Sequence, residues 1–280
     1  MADLSLTSTF QLNNGNAMPI LAFGTASKND SKQEVLTALR HSYTHIDTAH
    51  IYGTEKDVGE AIRASGIPRS KLFIASKLWD PDFTRDGALQ GVKQSLDAMQ
   101  LDYLDLFLLH NPRGGAGRRR DAWLGLQDAV QAGLVRSIGV SNWSIKHLEQ
   151  LAQGEGVKIV PACNQIEFHP WNQQAEIVKY CKGKGIQITA FSALAQGKRM
   201  DDKLINSLAA KYGKSPSQVI LRWMVQRQIV PITKSSKEER VKQTTEIFGW
   251  ELDPKDCEDI DKLDEGMKAR IGDWDPDEHE

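Results

Sequence analysis

The 280-residue chain contains only three cysteines, which are widely spaced and odd in number: Cys163, Cys181 and Cys257. This spacing forms neither a disulfide framework nor a metal-binding pattern, and unpaired thiols are typical of a reducing compartment. The histidines also lack metal-ligand spacing with cysteines or acids. We therefore expect a cytoplasmic protein with no metal site.

Long apolar runs and an excess of one sign of charge are missing as well. No stretch approaches the roughly 18 apolar residues of a membrane span. The N-terminal segment MADLSLTSTFQL lacks the basic and apolar regions of a signal peptide. The net charge of −2 gives no electrostatic footprint for nucleic acid or acidic lipid. We expect a small-molecule partner, no nucleic-acid or membrane partner and, since no apolar stripe is left over, a monomer.

A glycine-rich turn of the form G-x-G-x-x-G is absent after the first apolar strand, where Gly24-Thr25 is followed by Ala26-Ser27. That absence argues against a doubly wound sheet. Eight apolar segments instead alternate with segments of helical periodicity, which predicts a parallel sheet with right-handed crossovers. The predicted strands are residues 21–25, 45–48, 72–77, 104–110, 135–140, 159–166, 186–191 and 229–233.

A single (β/α)8 TIM barrel accounts for this alternation, because such barrels typically need about 250 residues. A strand–turn–strand unit at residues 9–20 precedes the barrel and is expected to close its bottom, and extra helices at 237–248 and 254–263 follow strand eight. Ser31 is the predicted N-cap of the first barrel helix, with Glu34 completing a capping box. No linker divides the chain, so we expect one domain over residues 1–280.

Titratable side chains stand at the ends of three successive predicted strands. Asp47 lies at the end of the second strand, Lys77 and His110 end the third and fourth, and Tyr52 follows in the loop after Asp47. One such residue is ordinarily a solvated loop residue, but the carboxyl ends of barrel strands are where chemistry is carried out. A lysine beside a tyrosine is expected to lower the phenol pKa, an aspartate to hold the lysine, and a histidine to orient a polar substrate atom.

Six motifs in order identify a resemblance: HIDTAHIYGTEKDVGEAI, FIASKLW, LDLFLLHNP, GLVRSIGVSNW, NQIEFHP and PITKSSKEER. They resemble the aldo-keto reductases from the hairpin to the helix after strand eight. The short loop after His110, with FSALA and TKSSKEER, is similar to fungal members that reduce conjugated or α-keto carbonyls. The resemblance implies a (β/α)8 barrel that binds NADPH across its mouth and transfers hydride to an aldehyde or ketone, with Asp47, Tyr52, Lys77 and His110 as the catalytic residues and Tyr52 as general acid.

The resemblance also implies a set of residues that hold NADPH. Ser141, Asn142 and Gln165 match the side chains that hold the nicotinamide carboxamide. Phe191 matches an aromatic residue that stacks on the nicotinamide, although packing in the core is an open alternative. Ser192 and Leu194 line the pyrophosphate path. Basic and hydroxyl side chains near a helix start suit the adenosine 2′-phosphate, and the remaining matches are Lys234, Ser235, Ser236 and Arg240 for that phosphate, and Gly24, Thr25 and Asp47 along the cofactor.

The sequence departs from the family at positions that affect recognition. Gln243-Thr244 replaces a frequent Glu-Asn pair, so we expect weaker adenine contacts. Ala26 and Asn111 replace bulky residues, so we expect a roomier, less apolar substrate pocket, lined by Trp79, His110 and Asn111. The loop arginines Arg113 and Arg118–Arg120 are expected to be solvated, with attraction of a carboxylated substrate as the alternative. Trp274 is expected either to close over the substrate or to anchor the tail.

Two other functions fit part of this pattern. Barrels of this family also serve as redox-sensing subunits that bind NADPH with little turnover. A barrel mouth with a lysine could instead form a Schiff base, with Lys77 as the nucleophile of an aldolase. The 2′-phosphate pocket fits the reductase and the sensor but not the aldolase. The sequence does not name the substrate, because loops at the barrel mouth determine it.

Overall fold

Eight parallel strands close into a barrel in the computed structural model, which describes residues 4–26 and 30–272. Two short strands form an antiparallel hairpin before it. The strands are β1 (Thr9–Gln11), β2 (Ala17–Pro19), β3 (Ala22–Gly24), β4 (His45–Asp47), β5 (Phe73–Leu78), β6 (Leu104–Leu109), β7 (Val135–Ser141), β8 (Cys163–Glu167), β9 (Gln187–Phe191) and β10 (Val230–Thr233). Barrel neighbours follow chain order, and β10 pairs with β3 to close the ring.

Helices connect the barrel strands, so the expected (β/α)8 barrel with an N-terminal hairpin and extra C-terminal helices is confirmed. They are α1 (Ser31–Arg40), α2 (Glu55–Ser65), α3 (Arg85–Met99), α4 (Gly115–Gln131), α5 (Ile145–Ala152), α6 (Ala175–Gly183), α7 (Lys203–Tyr212), α8 (Pro216–Gln226), α9 (Glu238–Thr245) and α10 (Pro254–Asp261). Two helices, α7 and α8, separate β9 from β10. The start of α8 lies at the barrel mouth.

The hairpin closes the barrel at the amino-terminal ends of the strands. Leu12 and Met18 join the apolar cluster inside the barrel, which also contains Phe73 and Leu106. Two asparagines of the hairpin turn donate hydrogen bonds to the Arg136 carbonyl at the start of β7, with N–O distances of 3.1 and 3.0 Å. The opposite end of the barrel therefore remains for the site.

Strands of the barrel are apolar on both faces because the barrel interior and the surrounding helices cover them. In β6, Leu106 and Leu108 belong to the interior cluster, whereas Phe107 and Leu109 belong to the cluster that includes the helix residues of α3 and α4. All six residues of β6 are buried. This explains why β6 reads in the sequence as a nearly continuous apolar run.

The expected N-cap of α1 is wrong by one residue. Asp30 is the N-cap, and its side chain accepts a hydrogen bond from the Gln33 backbone amide at 3.0 Å. Ser31 is the first helical residue and is buried. Aspartate and serine cap helices about equally well, and the carboxylate of Asp30 also interacts favourably with the helix dipole.

The expected loop after His110 is also shorter than predicted, because α4 begins at Gly115 and includes the three arginines. Arg119 is buried and not solvated: its guanidinium donates to the Pro112 carbonyl at 2.5 Å and to the Gln150 side chain at 2.7 Å. Arg118 donates to the carbonyls of Asp80 and Pro81, both at 3.0 Å. These two arginines hold neighbouring loops.

Strand β8 begins at Cys163, four residues later than predicted. Trp274 lies outside the described residues.

Within residues 4–26 and 30–272, no helix combines the length and apolar character needed to cross a bilayer. The same residues contain no group of three or more histidines, cysteines or acids placed to hold a metal ion.

Helix α2 packs against the end of α3 so closely that only glycine fits at position 59. A Cβ atom at Gly59 would lie 2.1 Å from the Met99 carbonyl oxygen. Overpacking usually costs about 1–3 kcal/mol, so we expect Gly59→Ala to lower the free energy of unfolding by about that amount. Denaturant unfolding measures the change.

Gly117 in α4 is the matched control, because a Cβ atom there meets nothing within 4 Å. Alanine is the better helix former by about 1 kcal/mol, so Gly117→Ala should leave stability unchanged or raise it. Equal destabilisation by both substitutions would contradict the close approach of α2 to α3.

Candidate active site

The carboxyl ends of three adjacent strands place the catalytic candidates together. Asp47 ends β4, Lys77 lies near the end of β5, and His110 directly follows β6. Tyr52 ends a short 3₁₀ turn, residues 50–52, in the loop after β4. In-register parallel pairing of these strands brings their ends to one edge of the barrel. All four predicted catalytic residues therefore meet at the mouth.

Lys77 and Asp47 form an ion pair that is fully enclosed. The Lys77 Nζ atom donates to Asp47 Oδ1 at 2.5 Å and to the Thr48 carbonyl at 2.7 Å. Gln165 Nε2 donates to the other carboxylate oxygen, Asp47 Oδ2, at 2.9 Å. Burial disfavours the charged ammonium, but the Asp47 carboxylate and Tyr52 together outweigh burial and raise the pKa of Lys77 above its ordinary value. Lys77 is therefore a permanent cation beneath the cleft.

Tyr52 and His110 face each other beside this cation. The Tyr52 hydroxyl lies 3.3 Å from His110 Nε2, and the Lys77 Nζ atom lies 5.2 Å from the centre of the Tyr52 ring. Burial raises the pKa of Tyr52, and the charge of Lys77 opposes that rise without overcoming it. The expected net lowering of the phenol pKa is therefore wrong for this structure, because desolvation of the phenolate exceeds the attraction of the ammonium.

His110 is a neutral imidazole at physiological pH. Burial and, after it, the positive charge of Lys77 hold the pKa of His110 well below its ordinary value. The ring also packs edge-on against Trp79, with ring centres 5.1 Å apart. A neutral ring carries one N–H donor, so His110 is able to donate a hydrogen bond to a carbonyl oxygen.

A cleft of 1120 Å³ runs from this group across the barrel mouth. Its lining includes most of the predicted site residues: Gly24, Thr25, Asp47, Tyr52, Trp79, His110, Asn111, Ser141, Asn142, Gln165, Phe191, Ser192, Leu194, Lys234, Ser235 and Arg240. Lys77 lies behind the lining because it is enclosed under Asp47 and Tyr52. Ser236, a predicted phosphate contact, is exposed and does not line the cleft.

Near His110 the cleft holds a buried amide with an unused acceptor. Asn142 Nδ2 donates to Ser141 Oγ at 3.0 Å and to the His110 carbonyl at 3.2 Å. The Asn142 Oδ1 atom is buried and accepts no hydrogen bond within the described part of the chain. Asn142 also has a left-handed backbone, with φ of 62°, which asparagine tolerates. An unsatisfied amide oxygen at this position fits the N–H donors of a carboxamide.

The other end of the cleft is basic. Lys234 and Arg240 line it with exposed side chains, on either side of the start of α9. The Thr244 hydroxyl is already committed, since it donates to the Val241 carbonyl and hydrogen-bonds the Tyr43 hydroxyl, both at 2.7 Å. Among the described residues, no carboxylate adjoins these two cations in the cleft lining, which suits a phosphate group. Thr244 has little left to offer an adenine.

Sequence reasoning missed several lining residues. The N-cap of α8, Ser215, and its first two residues, Pro216 and Ser217, line the cleft, as do Gln196 and Met200 from the segment after β9. Serine followed by proline does indicate a helix start. Nothing in the local sequence indicates that the start of α8 faces the barrel mouth.

The substrate end shows one further difference from expectation. Asn111 is buried, and its amide is engaged: Nδ2 donates to Asp80 Oδ1 at 3.3 Å and Oδ1 accepts from the Arg113 backbone amide at 2.9 Å. It shapes the wall of the cleft beside Trp79 more than it offers a polar contact. Ala26 also lines the cleft, and the roomier pocket stays a prediction.

The family model described as "Aldo/keto reductase family" matches residues 9–265 of this chain. This chain belongs to the aldo/keto reductase family. It is an NADP-dependent oxidoreductase that acts on carbonyl groups, as the resemblance implied. The similarity to fungal members stays a prediction.

Relatives and solved structures agree over nearly the whole chain. Glyoxal reductase of Bacillus subtilis is 42% identical over 268 residues, covering 95% of this chain and 96% of that protein. Methylglyoxal reductase of Salmonella typhimurium is 39% identical over 262 residues, covering 92% and 94%.

An aldo-keto reductase from a deep-sea metagenome library superposes with a TM-score of 0.91 at 34% identity, covering 97% of this chain and 99% of that one. The aldo-keto reductase of Bombyx mori in complex with NADP gives 0.88 at 34% identity, covering 96% of each chain.

Removing the Asp47 carboxylate should strongly destabilise the fold. Asp47→Asn keeps the shape but leaves the Lys77 ammonium buried without its counter-ion, which costs about 3–5 kcal/mol in comparable pairs. We expect denaturant unfolding at neutral pH to show that loss. Because folding raises the pKa of Lys77, the pair's contribution is complete below the ordinary value of 10.5 and is lost as the pH rises through the folded value.

The double variant Asp47→Asn/Lys77→Met is the control, because it removes both charges together. It should recover part of the stability lost in Asp47→Asn. A double variant less stable than the single one would mean that the ammonium is not the source of the cost.

Proposed function

We propose that this protein reduces an aldehyde or ketone to an alcohol with NADPH, with Tyr52 as the general acid. The observation that carries the proposal is the approach of the Tyr52 hydroxyl to His110 Nε2 at 3.3 Å, beside a buried ammonium and inside one cleft. NADPH, when bound, supplies the hydride that adds to the carbonyl carbon.

Hydride addition to a carbonyl leaves negative charge on oxygen, and the chain offers two groups to meet it. Neutral His110 donates a hydrogen bond to the carbonyl oxygen and sets its angle. Tyr52 donates its proton as the charge develops. The phenolate that remains lies beside the Lys77 ammonium, which stabilises it. Asp47 keeps that ammonium in place, so each of the four residues has one role.

Residues along the cleft would hold the cofactor. Ser141, Asn142 and Gln165 would hold the nicotinamide carboxamide, and the half-buried ring of Phe191 would stack on the nicotinamide. The remaining residues fall into two groups: Gly24, Thr25, Ser192, Leu194 and the start of α8 along the pyrophosphate path, and Lys234, Ser235 and Arg240 at the 2′-phosphate. Ser236 is not retained, because it lies outside the cleft.

Small α-oxo carbonyl compounds are the substrates we propose first. Two relatives carry the names glyoxal reductase and methylglyoxal reductase, and the cleft has room and polar groups beside Trp79. The aldolase alternative is not supported, because Lys77 is enclosed, charged and bonded to Asp47 and the Thr48 carbonyl. A nucleophilic lysine must be neutral and accessible. The single-domain and monomer expectations stay predictions.

Tyr52→Phe tests the acid directly. The ring is kept and only the hydroxyl is lost, so we expect NADPH affinity to be unchanged while turnover falls by about 10²–10⁴-fold, the usual contribution of general acid catalysis. Absorbance of NADPH reports turnover with methylglyoxal, glyoxal and an α-keto lactone, and quenching of intrinsic fluorescence reports binding.

Two results would contradict this proposal. Turnover retained by Tyr52→Phe would remove Tyr52 from the acid role. Quenching by NADPH in the wild type, without turnover of any carbonyl compound, would favour the redox sensor.

Lys234→Ala and Arg240→Ala test the phosphate end of the cleft. A charge-assisted hydrogen bond contributes about 1.5–3 kcal/mol, so each substitution should weaken NADPH binding about tenfold or more. NADH binding should change little, because NADH lacks the 2′-phosphate. The measurement is the dissociation constant of each dinucleotide by fluorescence titration.

Lys237→Ala is the matched control: Lys237 is an exposed lysine next to α9 that does not line the cleft. The affinity of the Lys237→Ala variant for NADPH and for NADH should equal that of the wild type. Equal weakening of NADPH and NADH by Lys234→Ala or Arg240→Ala would refute the 2′-phosphate assignment.

A further inference from the structure

We propose that a ring of three buried threonine hydroxyls, Thr25, Thr48 and Thr54, positions Tyr52 for proton transfer. Thr25 Oγ1 donates to Thr48 Oγ1 at 2.8 Å, and the Thr54 Oγ1 atom lies 2.9 Å from Thr48 Oγ1 and 3.0 Å from Thr25 Oγ1. All three side chains are buried. We call this set the threonine ring. The inference rests on the proposed role of Tyr52.

The geometry allows every hydroxyl of the threonine ring to be satisfied. Thr25 donates to Thr48, so Thr48 is able to donate to Thr54 and Thr54 to Thr25, each hydroxyl donating once and accepting once. Hydrogen bonds in such a closed series polarise one another and become stronger in a buried setting. Removing one hydroxyl breaks two of the three bonds and leaves a buried donor and a buried acceptor unpaired.

The threonine ring closes the loop that carries Tyr52. Thr48 and Thr54 stand at the two ends of that loop, and their side chains join across it. Tyr52 lies between them in the 3₁₀ turn, followed by Gly53 in a left-handed conformation with φ of 68°. Thr25 ties both ends to the strand end of β3. The path of the loop is therefore set by side chains at its ends.

The same residues fix the lysine that acts on Tyr52. The Thr48 carbonyl accepts a hydrogen bond from Lys77 Nζ at 2.7 Å, and its backbone amide donates to the Ala75 carbonyl at 2.9 Å. The Thr25 backbone amide donates to the Asp47 carbonyl at 3.0 Å. The backbones of Thr48 and Thr25 thus join the Tyr52 loop to the strands of Lys77 and Asp47, and the threonine ring links those backbones through their side chains.

A second contact holds the loop from its other side. Glu55, buried at the start of α2, accepts from Ser76 Oγ at 2.6 Å, and its second oxygen lies 3.3 Å from His50 Nδ1. Ser76 directly precedes Lys77, and His50 begins the turn that ends at Tyr52. The two Glu55 contacts orient the turn, whereas the threonine ring sets the distance between the two ends of the loop.

Proton transfer depends on the position of the Tyr52 oxygen, because a misplacement of about 1 Å is able to lower rates by about 10²-fold. None of the threonine hydroxyls needs to touch the substrate for this effect. Thr48 and Thr54 are positioning residues: they act through Tyr52 and do not line the cleft. Thr25 lines the cleft as well and is therefore left unchanged in the test.

Thr54→Val removes one hydroxyl and keeps the shape of the side chain. We expect the single-turnover rate of NADPH oxidation with methylglyoxal to fall by about 10-fold to 100-fold, with the dissociation constant of NADPH changed less than about threefold, because a misplaced acid affects the chemical step and not ground-state binding. Thr54→Ser restores the hydroxyl and should restore the rate to near that of the wild type.

Thr37→Val is the matched control for loss of a buried threonine hydroxyl. Its Oγ1 atom donates to the Gln33 carbonyl at 2.9 Å within α1, away from the cleft. The thermal midpoint of Thr37→Val should fall as in Thr54→Val, but its single-turnover rate should stay that of the wild type. If Thr54→Val is insoluble, Thr48→Val and Thr48→Ser replace the pair with the same expectations.

Wild-type rates in both Thr54→Val and Thr48→Val would overturn the positioning role. So would rates that fall equally in Thr37→Val, or rates that the serine variants do not rescue. Failure of the proposed function itself looks different, because it would appear as turnover retained by Tyr52→Phe whatever the threonine variants do.

Discussion

The buried ion pair of Lys77 and Asp47 is the interaction on which the site depends. Two charges taken out of water cost several kcal/mol each unless their hydrogen-bonding capacity is filled. Here the ammonium has Asp47 and the Thr48 carbonyl, and the carboxylate has Gln165 as well. The pair lies at the carboxyl ends of the strands, beyond the apolar cluster of the barrel interior.

One cation acts to lower the pKa of two neighbouring groups, with burial in one case and against burial in the other. The charge of Lys77, added to burial, lowers the pKa of His110 and keeps the ring neutral as a hydrogen-bond donor. The same charge opposes the effect of burial on Tyr52 and so favours the phenolate that proton donation leaves behind. Without the ammonium, burial would raise the pKa of Tyr52 further. A single enclosed charge thus prepares both groups that a carbonyl oxygen would meet.

Sequence alone predicts those parts of this molecule that depend on local pattern. Continuous apolar runs predict the eight strands, and titratable residues at three strand ends predict the tetrad. Prediction fails where two adjacent residues are both good N-caps, as with Asp30 and Ser31 at the start of α1. It also fails for Arg119, whose burial depends on carbonyl and amide acceptors that only the folded chain brings near.

Gln165 joins the two halves of the site across the barrel. Strands β4 and β8 are opposite each other in the eight-strand ring, yet Gln165 Nε2 reaches Asp47 Oδ2 at 2.9 Å, so this bond spans the mouth. The Gln165 carbonyl meanwhile accepts from Ser141 Oγ at 2.9 Å and from the Asn142 backbone amide at 2.8 Å. One residue therefore holds both the Asp47 carboxylate, behind the proposed proton donor, and the two side chains proposed to hold the carboxamide. Because a bond across the ring exists only once the ring has closed, Asp47 takes its position relative to Ser141 and Asn142 from barrel closure.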